Sequence, residues 1–416
     1  KAGRIRTVWG PLIGGGRRPA YRGRAFARAR SFPAGFGSLF GAHGMCPAWG
    51  RSLRAGRGPY GELQPPDEIG LMLPKGFRAR EIARAQQLVG STSYRWPIFP
   101  DGGATFSVPD GWIYVVNSEV PVAGGVSAIR FDRRGRIADA HSICTGTSVN
   151  CAGGDTPWQT WLSGEEYAGG HVWECDPTGR RPQQIRPALG TFQHEAVAVD
   201  TSDGRLYLSE DVGDGRFYRF TPRRWGDLSE GLLEVAVVAP SGRVQWREVP
   251  IPNPDLAAGD TATRHQVAES TPFRGGEGVA YAQGHVYLGT KGDDTVWDYD
   301  ARRQTMRILY RAAQDPGRQL TGVDNVVVSR SGDVIVAEDG GDMELVLLTP
   351  EGEAAPLLRV VGQSGSELAG PAFDPSGTRL YFSSQRAGQG GITYEVTGPF
   401  RSFIERRRRR IPRRPA

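Results

Sequence analysis

Three carboxylates in this 416-residue sequence fall at the same place in a repeat. Glu195 opens Glu195-Ala196-Val197-Ala198-Val199, Glu277 opens Glu277-Gly278-Val279-Ala280-Tyr281, and Asp324 opens Asp324-Asn325-Val326-Val327-Val328. A polar turn follows each, then a second apolar run (Arg205–Ser209, His285–Gly289, Val334–Ala337). Each copy then closes on a polar cluster: Glu210-Asp211, Lys291-Gly292-Asp293-Asp294 and Glu338-Asp339. Core packing gives no reason for an acid to recur at the head of an apolar strand. Brought together, such acids repel one another unless cations or raised pKa values neutralise them. A metal site is the simplest chemistry that fits, with channel solvation as the plainer alternative. Asp324-Asn325 offers two oxygen donors, and Glu338-Asp339-Gly340-Gly341-Asp342-Met343-Glu344 holds four acids around a glycine pair. Both suit a hard cation such as Ca2+, which takes about 6–8 oxygen ligands; a solvated loop is the alternative for the second. Asn150-Cys151-Ala152-Gly153-Gly154 sets a thiol beside glycines and ahead of Glu165-Glu166, which suits a metal-lined pocket or a buried cysteine in a turn.

Elements that would position these groups follow from the period. Repeats of roughly 40–50 residues with four short strands each are the mark of a β-propeller. Strand direction alternates within a blade, so the start of an inner strand and the end of the next strand share one face of the disc. The expected fold is all-β, with six blades, five or seven remaining open. Blade one would cover 103–131 and blade two about 157–177; blades three to six would start at Glu195, Glu277, Asp324 and Ala369. The interval from Glu195 to Glu277 is 82 residues against 47 from Glu277 to Asp324, and Pro250–Thr271 reads as a surface insertion holding the excess. Residues 70–84 read as a lead-in strand that completes the last blade and removes an exposed edge.

Glycine at 58 and proline at 30 fit short strands and tight turns better than helices. Residues 1–60 carry 12 Lys/Arg and no acid, and 401–416 carry 8 Arg and one Glu. The chain's 51 basic and 45 acidic residues therefore leave 31 and 44 in the middle, a net of −13. We expect a disordered basic segment over 1–58, a propeller over 59–400 and an Arg-rich tail over 401–416. The tail's run Arg406–Arg410 is expected to be solvated rather than bound to nucleic acid. Cys46, Cys144, Cys151 and Cys175 form no paired zinc pattern and are expected as buried thiols, with a Cys144–Cys151 or Cys151–Cys175 disulfide left open. No run reaches about 18 apolar residues, so no membrane span is expected. Arg17-Arg18 hints at a twin-arginine export signal, but the residues after it are too broken by Gly and Pro to form its apolar core.

Several runs together carry a resemblance: Asn150–Trp158, Phe192–Asp200, Gly275-Gly276-Glu277-Gly278, Thr290–Asp293, Val323–Ser329, Ala337–Asp342, Gln363–Phe373 and Ser383–Arg386. In order, over about residues 60–400, they resemble the PhoX-type alkaline phosphatases and their shorter relatives. The resemblance implies a propeller with a cluster of ferric iron (Fe3+) and calcium (Ca2+) at the channel mouth, hydrolysing small phosphate esters. Under it Cys151 would be a thiolate ligand of iron, Glu195 and Glu277 would hold iron and bridge to calcium, and Glu338 with Asp339 would hold calcium. It suggests export, and no nucleic-acid or membrane partner; a monomer is expected. Three departures stand out: Gly164 where the family has a second cysteine, Gln159 where it often has glycine, and Gly275-Gly276 where the phosphatases proper have Arg-Pro before the third glutamate. The nearest cations to that place are Arg274 and Lys291, the expected phosphate contacts, with Arg386 as a further candidate. Alternatives are a calcium-dependent lactonase-like hydrolase and a non-catalytic propeller that binds a ligand.

Overall fold

The computed structural model describes residues 53–402. They form six sheets, the blades of a propeller, antiparallel except where Arg54–Ala55 joins one edge, and helical backbone among them is confined to four short 3₁₀ turns. Blade one comprises Pro100–Val108, Gly111–Ser118, Gly124–Asp132 and Ile137–Thr147. Blade two comprises Asn150–Asp155, Trp161–Glu165, Val172–Cys175 and Gln184–Ile185. Blade three runs from His194–Asp200 through Arg205–Glu210, Phe217–Arg224 and Asp227–Val238 to a fifth strand, Val244–Glu248. Blade four is Gly276–Ala282, His285–Thr290, Thr295–Asp300 and Thr305–Arg311. Blade five is Val323–Val328, Val334–Glu338, Glu344–Leu348 and Glu353–Val360. Blade six contributes Leu368–Phe373, Arg379–Ser384 and Ile392–Thr397. Its outer strand is Arg78–Arg84, from the other end of the chain, so the lead-in segment closes the ring.

Two elements differ from the sequence expectation. Blade two begins at Asn150, so Cys151 lies on an inner strand rather than in a turn. That strand is disguised by its glycines, which the crowded axis requires. A Cβ on Gly154 would lie 1.8 Å from the Val197 carbonyl of the next blade, and one on Gly153 1.9 Å from that of Leu162. The excess length of blade three is shared between its fifth strand and the insertion. The insertion does lie against the blade: Thr263 Oγ1 donates to Thr191 O, and Arg264 pairs with the buried Glu210.

Residues 1–52 and 403–416, including Cys46 and Arg406–Arg410, lie outside the described residues. Within the segment expected to be disordered, residues 53–58 are instead placed against blade five: Leu53 is buried and Arg54–Ala55 pairs parallel to Glu353–Ala354. Leu71–Met72 covers the other part of that outer strand, protecting the edge of blade five. At the far end Arg401 pairs with Asp333 and Glu351. Cys144, Cys151 and Cys175 are free thiols. No helix among the described residues is long and apolar enough to cross a membrane.

Aromatic rings pack the wedges between blades. Tyr114 stacks on Tyr381 at 4.9 Å between blades one and six, and Tyr207, Phe217, Trp246 and Tyr299 interlock between three and four. A buried polar network ties the closing strand in. Glu395 accepts from Arg80 (2.8 Å), Arg379 (2.9 Å) and the Tyr381 hydroxyl (2.9 Å), and Tyr381 in turn accepts from Trp112 Nε1 of blade one. Removing the acid leaves the buried Tyr381 hydroxyl without its acceptor, while the partly exposed Arg80 and Arg379 turn to water. Glu395→Ala should therefore cost about 1–2 kcal/mol in urea denaturation; a loss below about 0.5 kcal/mol would show that the network does not hold the ring shut.

Candidate metal centre

Each of the six inner strands slips register by one residue near its start, at the same place in the repeat. The breaks lie between Pro100 and Gly103, Asn150 and Gly153, His194 and Val197, Gly276 and Val279, Val323 and Val326, and Ala369 and Ala372. A bulge re-aims a side chain that regular pleating would send elsewhere. The first residue inside the break is Asp101, Cys151, Glu195, Glu277 and Asp324 in blades one to five and Gly370 in blade six. Immediately after these, Gly102, Ala152, Ala196, Gly278 and Asn325 begin the wall of a central channel of about 670 Å³. The ring of acids and thiol therefore sits at one mouth of that channel. A second ring follows from the neighbouring strands, whose last residues are succeeded by Glu119, Glu166, Asp211, Lys291, Asp339 and Gln385.

Nine side chains from these rings and from Glu367 make a continuous cluster. Ligand atoms approach within 4.8 Å in four sets: Cys151, Glu166 and Glu195; Glu195, Glu277 and Asp324; Asp324, Asp339 and Glu367; Asp101, Glu119 and Glu367. Shared members chain the sets together. Lys291 Nζ stands 2.9 Å from Glu277 and 3.3 Å from Asp339, while Arg386 pairs with Glu367 and lies 3.8 Å from Asp339. Gln385 Nε2 donates to Glu119 and Asp101, and the Cys151 thiol faces Asp101 at 3.5 Å. Glu195 is buried with no hydrogen bond to either oxygen.

Such an arrangement is electrostatically incomplete. Burial, followed by repulsion from neighbouring acids, pushes Asp101, Glu195 and Glu367 well above the carboxylate range. Burial also raises Glu277, against the opposing pull of Lys291. Asp324 is pushed up to about 7 and Glu166 to about 8, again by burial first. Cys151 rises through burial and then through Asp101 and Glu195, so without a cation it is a neutral thiol. Burial alone would lower the Lys291 pKa, but Glu277, Asp324 and Asp211 outweigh it. The unpartnered Glu195 oxygens, with a thiol and acids on both sides, fit multivalent cations: a soft donor at one end and all-oxygen sets at the other.

Cys151, Glu195, Glu277, Asp324 and Asp339 are thus brought together, and Lys291 lies among them. Glu338 and Asn325 lie beside the cluster in other roles. Glu338 accepts from the backbone N–H groups of Thr321 (2.9 Å) and Glu344 (3.0 Å), bracing the loop that carries Asp339. Glu165 braces its loop likewise through Ser148 and His171, and Glu210 through Arg216 and Tyr218. In each acidic doublet the first acid holds the loop and the second occupies the ring. Asn325 donates to Asp324 (2.9 Å) and accepts from the Gly370 N–H (2.6 Å), fixing the angle of the aspartate. Arg274 is exposed, its carbonyl accepting from the Gly292 N–H beside Lys291. Asp101, Glu119 and Glu367 have no assigned role in the sequence reading, and Glu166 enters it only as one of the Glu165-Glu166 pair. Asp101 and Glu119 carry a signal there only once the blade-one register is aligned to the other blades.

The alkaline phosphatase PhoX family profile matches residues 117–170 and 167–388, most of the propeller and nearly all of the cluster. The chain belongs to that family. Among curated proteins none matches the sequence. Solved structures with a similar course include a gluconolactonase, XC5397, from Xanthomonas campestris (12% identity, 82% of this chain and 98% of that one, TM-score 0.47). A Bacteroides thetaiotaomicron protein of unknown function aligns over 77% of this chain and 76% of its own at 10% identity, TM-score 0.49. The calcium-binding protein regucalcin from Agrobacterium tumefaciens aligns over 73% and 93% at 15% identity, TM-score 0.39. At these scores the three likenesses carry nothing about chemistry.

Folded-state pKa values above that of an unfolded carboxylate, about 4, make protonation of the cluster stabilising. That stabilisation is complete below about pH 4 and is lost as pH climbs through the folded values of about 7 for Asp324 and about 8 for Glu166. Chelator-treated protein should therefore lose Tm steadily from pH 5 to 9, and added Ca2+ should restore it at pH 9. A chelated protein whose Tm rises over that range would show that the acids do not converge in solution.

Proposed function

We propose that this protein is a metal-dependent phosphomonoesterase that holds ferric iron and calcium in the nine-residue cluster. The supporting observation is the chain of four ligand sets with one thiol at its end and Glu195 unpartnered at its joint. Cys151, Glu166, Glu195 and Glu277 are the proposed iron ligands, since a thiolate bonds a transition metal and is not a ligand for calcium. Asp324, Asp339, Glu367, Asp101 and Glu119 are the proposed calcium ligands, an all-oxygen set. Glu338 and Asn325 act in this reading as positioning groups for Asp339 and Asp324.

Phosphoryl transfer spreads negative charge over the equatorial oxygens, so catalysis rests on positioning and on cationic stabilisation. When bound, the metals would neutralise the carboxylates and polarise the phosphoryl oxygens. The protein's own part is to present Lys291 and Arg386 beside the two oxygens of Asp339, where both ammonium and guanidinium would donate to a phosphate. Arg274, exposed beside Lys291, can reach an oxygen on the outer side. Burial of the inner ring keeps water from screening these contacts.

Elemental analysis tests the assignment directly, with iron and calcium both expected at stoichiometric levels. Cys151 bound to ferric iron should colour the protein through a ligand-to-metal charge-transfer band, and Cys151→Ser should bleach or shift it. Colourless protein holding calcium alone and opening a lactone would transfer the reading to a lactonase. Kinetics on a simple phosphomonoester supply a second check. Lys291→Ala should lower kcat/KM by roughly 10- to 100-fold, the loss of one charge-assisted contact. Arg274→Ala should cost less, and equal effects would place the phosphate further from the axis than proposed.

A further inference from the structure

The mouth of the channel is chemically lopsided. The cations nearest the cluster, Lys291, Arg274 and Arg386, belong to blades four and six, whereas the loops over blades one and two carry no base beside Glu119 and Glu166 and present Val122 and Tyr167 instead. Val122, 88% exposed, is the most exposed large apolar side chain of the described residues, and Tyr167 beside Glu166 is 40% exposed. Val122 follows Glu119 by three residues and Tyr167 follows Glu166 by one, so both lie within about 10 Å of cluster acids along the chain.

The same rim concentrates backbone strain. Phe99 (φ 50°), Val122 (φ 66°) and Val149 (φ 48°) all sit in the left-handed region, where bulky and β-branched residues are outliers. Hydrogen bonds hold the three in one unit: Glu119 N–H to Phe99 O, Val149 N–H to Val120 O, Glu166 N–H to Val149 O and Val122 N–H to Ser148 Oγ. Strain of this kind persists where surrounding structure over-determines it, and it gathers at ligand clamps. Glycine fills the equivalent entry position in blades four and five (Gly275, φ 64°; Gly322, φ 59°), whereas blades one and two keep apolar side chains there, and Val122 of the adjoining turn stands in water.

We infer that this rim is the seat of the ester's leaving group, and that the enzyme discriminates in favour of a compact apolar or aromatic alcohol over a polyhydroxylated one. The inference rests on the phosphomonoesterase reading: with the phosphate drawn toward Lys291 and Arg386, the bridging oxygen points the alcohol across the mouth toward blades one and two. Val122 and Tyr167 would then lose water against it, while Phe99 and Val149 set the rim's shape.

The test compares phenyl phosphate with glycerol 3-phosphate on metal-loaded protein. Val122→Asn keeps a residue that accepts left-handed backbone, so the fold should survive; Tyr167→Ser serves as the second variant. Each should lower kcat/KM for phenyl phosphate by about 3- to 10-fold, the worth of part of one apolar side chain. Each should leave glycerol 3-phosphate within about twofold of the parent. Equal changes on both esters, or none on either, would overturn the rim's role while leaving the phosphatase reading standing. A parent protein that hydrolyses neither ester would overturn both.

Discussion

Mutual repulsion among buried acids is the constraint around which this molecule is organised. A regular pleat would spread Asp101, Glu195, Glu277 and Asp324 over the walls of their blades. One extra residue in every inner strand instead turns them all onto one mouth of the channel, and each brings the desolvation cost of a buried charge. Among the described residues the bases paired within the cluster are Lys291, with Glu277 and Asp339, and Arg386, with Glu367 and Asp339. The folded protein is consequently built to be completed by positive charge from outside, and the neutral Cys151 thiol is part of the same incompleteness.

A cluster under such strain needs a rigid frame. The ring provides it by borrowing Arg78–Arg84 from the N-terminal side to finish blade six, so no inner strand can move outward alone. Interlocked aromatic rings between blades resist opening of the wedges. At the mouth itself Glu165, Glu210 and Glu338 use their charge on backbone N–H groups, which fixes the loops carrying Glu166, Asp211 and Asp339.

Much of this was legible in the sequence where strands look like strands. Blades three, four and five declare themselves because Val197, Val279 and Val326 recur behind an acid, and that alignment correctly points to a shared face. Blade two is hidden because contact between neighbouring backbones, not side-chain burial, selects its residues: Gly153 and Gly154 erase the apolar pattern. Adjacent acids are the other limit. Nothing in Glu338-Asp339 tells which carboxylate faces the axis, since that depends on where strand pairing ends. Glu367 is less visible still, because the equivalent positions of the other blades, Phe99, Val149, Gln193, Gly275 and Gly322, carry no acid.

Lys291 occupies the position where blades one, two, three and five carry an acid, and it can be viewed as a resident ion on a leash. A free monovalent cation at this mouth would come and go with the ionic strength of the medium. This one is fixed by its own chain at 2.9 Å from Glu277 and 3.3 Å from Asp339, so its local concentration does not depend on the solution. Any cation that enters between those two acids must move the ammonium aside, and Arg386 guards Glu367 in the same way, whereas the set formed by Cys151, Glu166 and Glu195 has no base among the described residues paired to it. The acidic mouth is therefore not uniform in its appetite for charge: it is graded around the ring, weakest beside blades four and six and strongest over blades two and three.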